Sequence, residues 1–154
     1  MLKKLSVLST ILIAAGCSSV TKEPVVIDPF VYEINASKND LYFASVDCTL
    51  ENITAPSSSG QFFDYQDKES GRLAVAFETS YEGLFGVMHP LKSTMSIKTK
   101  DNQLSIKFNS LQQYLGSPVY WTGVKQRKDG ETSGAELKLK GVSEDIYSCV
   151  VANL

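Results

Sequence analysis

The 154-residue sequence is poor in the side chains that most catalytic and metal sites require. It has one histidine, His89, and three cysteines that form no Cys-x-x-Cys pair. A zinc site usually needs several His or Cys ligands at short spacing, and a Ser-His-Asp or Cys-His site would have to use His89. That residue lies in Val87-Met88-His89-Pro90, a loop-like segment without a nucleophile elbow or papain-like signature nearby. We therefore predict no enzymatic activity, no catalytic residue and no cofactor.

A metal site is not predicted either. Three acidic residues, Asp64, Asp67 and Glu69, lie close together in the sequence. Their spacing differs from the regular spacing of a calcium-binding loop and is typical of a hairpin turn.

A surplus of basic residues is also missing. Lys and Arg number 15 against 17 Asp and Glu, and removal of Lys3 and Lys4 would leave 13 against 17, a net charge of about −4. A nucleic-acid partner is disfavoured because such proteins carry a basic surface. No apolar run reaches the roughly 20 residues of a transmembrane helix.

The first seventeen residues are typical of an export signal. Lys3 and Lys4 precede the apolar run Leu5–Ile13, and the small residues Ala14–Gly16 come directly before Cys17. This arrangement resembles the lipobox of bacterial lipoproteins, which implies that Cys17 is acylated and becomes the new N-terminus. Plain secretion is the alternative. In lipoproteins, an Asp after the acylated Cys commonly marks inner-membrane retention. The resemblance therefore places this chain, with Ser18 there, at the outer membrane, facing the periplasm.

The rest of the chain is long enough for one domain. We predict a signal peptide over 1–16, a lipidated N-terminus and short polar tether over 17–24, and a single domain over 25–154. Stretched at about 3.3 Å per residue, the tether would hold the domain within roughly 25 Å of the lipid.

Two cysteines, Cys48 and Cys149, remain after Cys17 is assigned to lipid. An even pair in an oxidising compartment favours a disulfide. The alternative is two buried thiols that act as small apolar residues.

Periodicity predicts an α+β domain. A strand over Phe30–Ile34 precedes a helix over Lys38–Ile53, which begins after the N-cap Ser37. We expect the helix to bury a stripe of apolar residues, namely Phe43, Val46, Leu50 and Ile53. The chain ends in a second helix. It begins near Ala135, or else at Ser143 after a short strand over 135–139 and a turn at Gly141.

Between the helices, alternating apolar residues predict two hairpins, with turns at 67–71 and 100–103. In the second hairpin the residues expected to face inward are Met95, Ile97, Leu104, Ile106 and Phe108. Such alternation indicates an antiparallel sheet of about five strands with one covered face, and the two helices are the elements available to cover it.

This order of elements resembles a known bacterial domain. The helix start Ser37–Tyr42, the turn Tyr65–Arg72 and the hairpin Ser96–Leu104 are similar to the TATA-binding-protein-like domain of a family of uncharacterised bacterial secreted proteins and lipoproteins. The resemblance implies the fold, and it brings neither an activity nor functional residues.

Two predicted loops, 81–90 and 114–123, are unusually rich in aromatic and apolar residues. Such residues are enriched at protein interfaces, although these loops could instead fold over an open edge of the core. The candidate partner-binding residues are Tyr81, Leu84, Phe85, Met88, Tyr114, Tyr120 and Trp121.

We therefore expect a lipid-anchored, non-catalytic module that binds another protein of the cell envelope. A carrier or sensor of a small apolar ligand is the second hypothesis. The third is an envelope enzyme, which would have to use His89.

Overall fold

The computed structural model describes residues 20–55, 60–83, 86–116, 120–129 and 131–154. The predicted lipidation site Cys17 and the signal peptide therefore lie outside the described residues. The elements in chain order are β1 (Val20–Pro24), β2 (Phe30–Glu33), α1 (Lys38–Asn52), β3 (Tyr65–Asp67), β4 (Arg72–Glu82), β5 (Met88–Lys100), β6 (Gln103–Tyr114), β7 (Trp121–Gly123), β8 (Lys125–Arg127) and α2 (Gly134–Ala152).

An antiparallel sheet with two helices forms the domain, and the predicted fold class is confirmed. The strands follow the order β2-β6-β5-β4-β3, and β7 pairs with the end of β6 beyond the region that β2 covers. The five predicted strands are all present. The sheet has a sixth strand in the described residues because β7 adds to β6, and β1 and β8 form a separate two-stranded ribbon.

The core lies between this sheet and the helices. Alternate residues of β4, β5 and β6 are buried, and they include all five inward-facing residues predicted for the second hairpin. The same alternation in β4 buries Leu73, Val75 and Phe77. Apolar burial on one sheet face is the main favourable contribution to folding here.

Helix α1 begins and ends where the sequence predicts, but its buried face agrees only in part. Ile53 is buried and Val46 packs against the core, as predicted. The Ser37 hydroxyl accepts a hydrogen bond from the Asp40 N–H at 3.2 Å. Phe43 and Leu50, expected inside, are about half exposed. The buried residues are mostly small or polar: Leu41, Tyr42, Ala44, Ser45, Cys48 and Thr49.

Small side chains on α1 explain the error. They let the helix backbone lie close to the sheet and to α2, whereas bulky residues would hold it away. The hydroxyls of Ser45 and Thr49 donate to the carbonyls of Leu41 and Ser45, both at 2.6 Å, so these polar groups are buried without losing a partner. A count of apolar residues alone misses such a face.

Helix α2 is a single helix that continues through Gly141. Its N-terminus has a reciprocal capping box between Ser133 and Glu136. The alternative of a strand over 135–139 with a helix starting at Ser143 is therefore wrong. Ser143 is buried in the middle of α2, where its hydroxyl and the hydroxyl of Tyr32 in β2 share a hydrogen bond.

The predicted tether is also partly structured. Residues 20–24 form β1, which pairs with β8 so that Val20 lies opposite Arg127 and Pro24 opposite Lys125. The strand forms because its backbone groups find hydrogen-bond partners in β8. Its side chains do not alternate between apolar and polar, so periodicity did not predict it.

Candidate binding site at the hairpin end

One end of the sheet brings together most of the predicted partner-binding residues. We call it the hairpin end: β4 ends there at Glu82, β5 begins at Met88, β6 ends at Tyr114 and β7 begins at Trp121. The two stretches predicted as loops are therefore partly strand, over residues 81–82, 88–90, 114 and 121–123. Tyr81 lies opposite His89, and Tyr114 lies opposite Trp121, which corrects the interpretation of His89 as a loop residue.

A cleft of about 620 Å³ opens at this end. Its walls come from the ends of β4, β5 and β6, from the β7–β8 segment and from the first residues of α2. The lining includes Tyr81, Val87, His89, Gln113, Leu115 and Arg127. A volume of this size is in the range of small-molecule sites, and it could also accept a protruding side chain of another protein.

Tyr81 forms the polar part of the cleft wall. Its hydroxyl donates a hydrogen bond to Oε1 of Gln113, and its ring centre lies 5.4 Å from that of His89. Burial raises the pKa of Tyr81 above its ordinary value of 10.0, so the hydroxyl stays protonated and remains a donor at neutral pH. The contact fixes the relative position of β4 and β6, which do not neighbour each other in the sheet.

Two glycines allow the close packing around this wall. A Cβ atom on Gly134 would lie 2.9 Å from the carbonyl oxygen of Glu82 and 2.9 Å from the Tyr81 ring. A Cβ on Gly83 would lie 2.5 Å from the His89 ring. Any larger residue at either position would push the start of α2 or the end of β4 away and change the cleft.

Apolar side chains are exposed at the hairpin end, and two of them belong to the rim of the cleft. Four residues at the hairpin end are each more than half exposed: Val87, Met88, Leu115 and Tyr120. Val87 and Leu115 also line the cleft. An exposed apolar rim around a concave surface is unusual for a protein surface without a partner.

Trp121 is less exposed to solvent than the preceding residue, Tyr120. Its ring centre lies 5.9 Å from that of Tyr114, and the ammonium group of Lys92 lies 4.2 Å above the indole. These contacts leave Trp121 half-buried. Trp121 is therefore packed against its neighbours at the hairpin end, whereas Tyr120 is 67% exposed there.

Charges of both signs border the cleft. The Arg127 guanidinium contacts the carboxylates of Asp129 and Glu131. Hydrogen bonds from Arg127 lower the pKa of Asp129 below its ordinary value and raise that of Arg127 itself. Glu82 also lines the cleft. A site that selects a strongly charged ligand usually carries charges of one sign. The border of this cleft carries both signs.

The structure thus groups Tyr81, Met88, Tyr114, Tyr120 and Trp121 at one end of the sheet. Two further predicted residues, Leu84 and Phe85, lie outside the described residues. Sequence reasoning missed Gln113 and Gly134 as site residues, since the partner of Tyr81 and the start of α2 become neighbours only in the fold.

The two remaining cysteines lie in the helical layer instead. The structure joins Cys48 of α1 to Cys149 of α2 in a disulfide, and their Cα atoms are 5.7 Å apart. Neither cysteine lines the cleft.

Among residues 20–55, 60–83, 86–116, 120–129 and 131–154, no group of three or more His, Cys, Asp or Glu side chains could hold a metal ion. Within these ranges, no helix has the length and apolar character needed to cross a membrane.

Comparisons with solved structures show the fold. A TBP-like protein from Parabacteroides distasonis matches with a TM-score of 0.62 at 12% identity, over 80% of this chain and 90% of that one. A DUF4468 family protein from Bacteroides ovatus matches with a TM-score of 0.60 at 11% identity, over 88% and 92% of the two chains. No family model and no curated protein matches the sequence. The TBP-like fold that the sequence resemblance implied is confirmed.

Proposed function

We propose that this protein is a lipid-anchored, non-catalytic module of the bacterial cell envelope, held at the outer membrane on its periplasmic side, that binds another protein through the hairpin end. The N-terminal segment ending at Cys17 supports the anchor and the compartment. The absence of a catalytic signature around the single histidine supports a binding role. If His89→Ala abolished the cellular function while the protein still folded, the envelope-enzyme hypothesis would gain support instead.

The main support for the binding role is the set of exposed apolar side chains at the hairpin end, at the cleft and beside it. Aromatic residues and Met are enriched in the centres of protein interfaces, and fully desolvated anchors contribute most of the binding free energy. Tyr120 and Met88 fit this description because both are large and mostly exposed. A partner that covers them would bury apolar surface at about 25 cal/mol per Å².

Photo-crosslinking in cells tests this role. A photoreactive phenylalanine analogue replaces Tyr120 in the full chain, and a matched control replaces Lys107, an exposed residue of β6 outside the cleft lining. The proposal expects one dominant protein adduct from position 120 and a several-fold weaker yield from position 107. Equal yields at the two positions, or no adduct at position 120, would contradict it.

A second candidate function is the transport or sensing of a small apolar ligand, and the volume of the cleft favours it. Gly123 lines this cleft, and the nearest atom to an added Cβ there is the Leu111 carbonyl oxygen at 3.9 Å. Gly123→Val therefore adds bulk at the wall, and its Cβ has no neighbour closer than 3.9 Å. Native mass spectrometry should then show a bound molecule on the original protein and none on the variant. An unliganded original protein would argue against a carrier.

A further inference from the structure

The start of the described chain lies beside the cleft. Val20, the first residue of β1, is opposite Arg127 in β8, and Arg127 lines the cleft. Cys17 precedes Val20 by three residues. With consecutive Cα atoms about 3.8 Å apart, the Cα of Cys17 cannot lie more than about 11 Å from that of Val20. An anchor on Cys17 therefore keeps the hairpin end close to the lipid.

The opposite end of the sheet is far from this point. Strand β5 has 13 residues, from Met88 at the hairpin end to Lys100. At about 3.3 Å per residue it spans about 40 Å. Helix α1 begins at that far end, where Lys38 Nζ donates to the Glu69 carbonyl at 2.8 Å. Phe43 of α1 and the C-terminal Leu154 line one shallow depression.

We infer that the hairpin end binds a membrane-embedded protein at the level of the lipid headgroups. This inference rests on the proposed function, and it specifies where the partner lies. Val20 lies within about 11 Å of the anchor, and Arg127 of the cleft lies opposite Val20. A site this near the membrane meets membrane proteins at a much higher effective concentration than freely diffusing ones.

The shape and charge of the site favour a protein over the lipid itself. A bilayer surface is flat, whereas the rim residues Val87 and Leu115 surround a concave cleft that fits a protruding apolar segment. Anionic lipids attract clusters of basic residues. Here Lys125, Arg127 and Glu82 line the cleft, and Arg127 is paired with Asp129 and Glu131. Among these five residues the acidic ones outnumber the basic ones.

Energy transfer to labelled lipid tests the orientation. Trp121 at the hairpin end is the only Trp of the chain, so the full lipidated protein needs no added donor. It is reconstituted in phosphatidylethanolamine–phosphatidylglycerol vesicles that contain a dansyl phospholipid as acceptor. The matched variant combines Trp121→Phe with Phe43→Trp, which moves the donor to the far end. Transfer several-fold more efficient from position 121 supports the inference, and equal or reversed efficiencies overturn it.

Crosslinking from position 120 then tests the class of partner. We expect the partner identified in the adduct to be a protein that stays in membranes after an alkaline wash when it is not crosslinked, and the adduct yield to fall several-fold in the Cys17→Ala variant. An adduct with a soluble periplasmic protein, or with phospholipid alone, would overturn the inference. The soluble adduct would leave the proposed protein-binding role intact. No protein adduct in the anchored form would refute the proposed function itself.

Discussion

Cys48 in the middle of α1 and Cys149 near the end of α2 join the two helices that cover the sheet, with Cα atoms 5.7 Å apart. The bridge closes a loop of 101 residues in sequence separation. In the chain-entropy model a loop of this size stabilises the folded protein by up to about 4.7 kcal/mol. The connection matters most for α1, whose buried face is built from small residues.

We therefore predict that reduction destabilises the domain. Urea unfolding with and without dithiothreitol should show a loss of about 2–5 kcal/mol in the free energy of unfolding. The Cys48→Ser, Cys149→Ser double variant is the control, because its stability should be low and should not respond to dithiothreitol. Equal stability of the oxidised and reduced proteins would contradict a structural role for the bridge.

Two glycines of α2 should respond in opposite directions to the same substitution. Gly134→Ala places a Cβ 2.9 Å from the Glu82 carbonyl oxygen, and the required shift should cost about 1–3 kcal/mol. Gly141→Ala meets nothing within 4 Å and should stabilise the helix by about 0.5–1 kcal/mol. Thermal unfolding of both variants checks the pair. A stabilised Gly134→Ala variant would mean that α2 does not pack on β4 as described.

The hydrogen bond between Tyr32 and Ser143 links β2 to α2, next to the stacked rings of Tyr32 and Tyr147, whose centres are 4.4 Å apart. Ser143→Ala should lower stability by about 1 kcal/mol, because it leaves the Tyr32 hydroxyl without this partner. A double-mutant cycle with Tyr32→Phe measures the coupling. Fully additive effects of the two substitutions would show that the hydroxyls do not interact.

The carboxylate of Asp67 closes the turn between β3 and β4. It accepts hydrogen bonds from the Ser70 hydroxyl at 2.6 Å and the Ser70 N–H at 3.1 Å, and these bonds lower the pKa of Asp67 below its ordinary value of 3.8. A lowered pKa in the folded state means that the ionised form stabilises the fold. That stability is present above pH 3.8 and is lost as the pH falls through the lower pKa of the folded protein.

We predict that Asp67→Asn is less stable than the original protein at neutral pH and that the difference shrinks in acid. Unfolding curves over a pH series measure it, and an NMR titration reports the pKa of Asp67 directly. Ser70→Ala is the control, since it removes the strongest of these bonds and should bring the pKa back towards 3.8. A difference that does not change with pH would show that ionisation of Asp67 plays no part.

The sequence predicted the sheet better than it predicted the helices. In β5 and β6 strict alternation leaves only one way to place Met95 and Ile106, and the structure buries both. The buried face of α1 was harder to predict because it contains the polar residues Ser45 and Thr49. Their hydroxyls donate hydrogen bonds to backbone carbonyls of the same helix, so both residues can be buried. The exposed Phe43 has its ring beneath the Lys68 ammonium group at 4.6 Å, which no periodicity predicts.

The composition of 81–90 and 114–123 pointed to the end of the sheet where the cleft lies. It did not give the cleft, because the cleft depends on contacts between residues far apart in the sequence. Tyr81 meets Gln113 across the sheet, and Gly134 meets Glu82 through the start of α2. The strand β1 was missed for a similar reason, since only pairing with β8 defines it.

We propose that a lipid on Cys17 anchors this domain with its hairpin end towards the membrane. The intact mass of the full chain, after expression in a bacterial host and detergent extraction from its membranes, tests this most directly. We expect a chain that begins at Cys17 and is heavier than residues 17–154 by the mass of the attached lipid. A chain with the unmodified mass, recovered from the soluble periplasmic fraction, would contradict it.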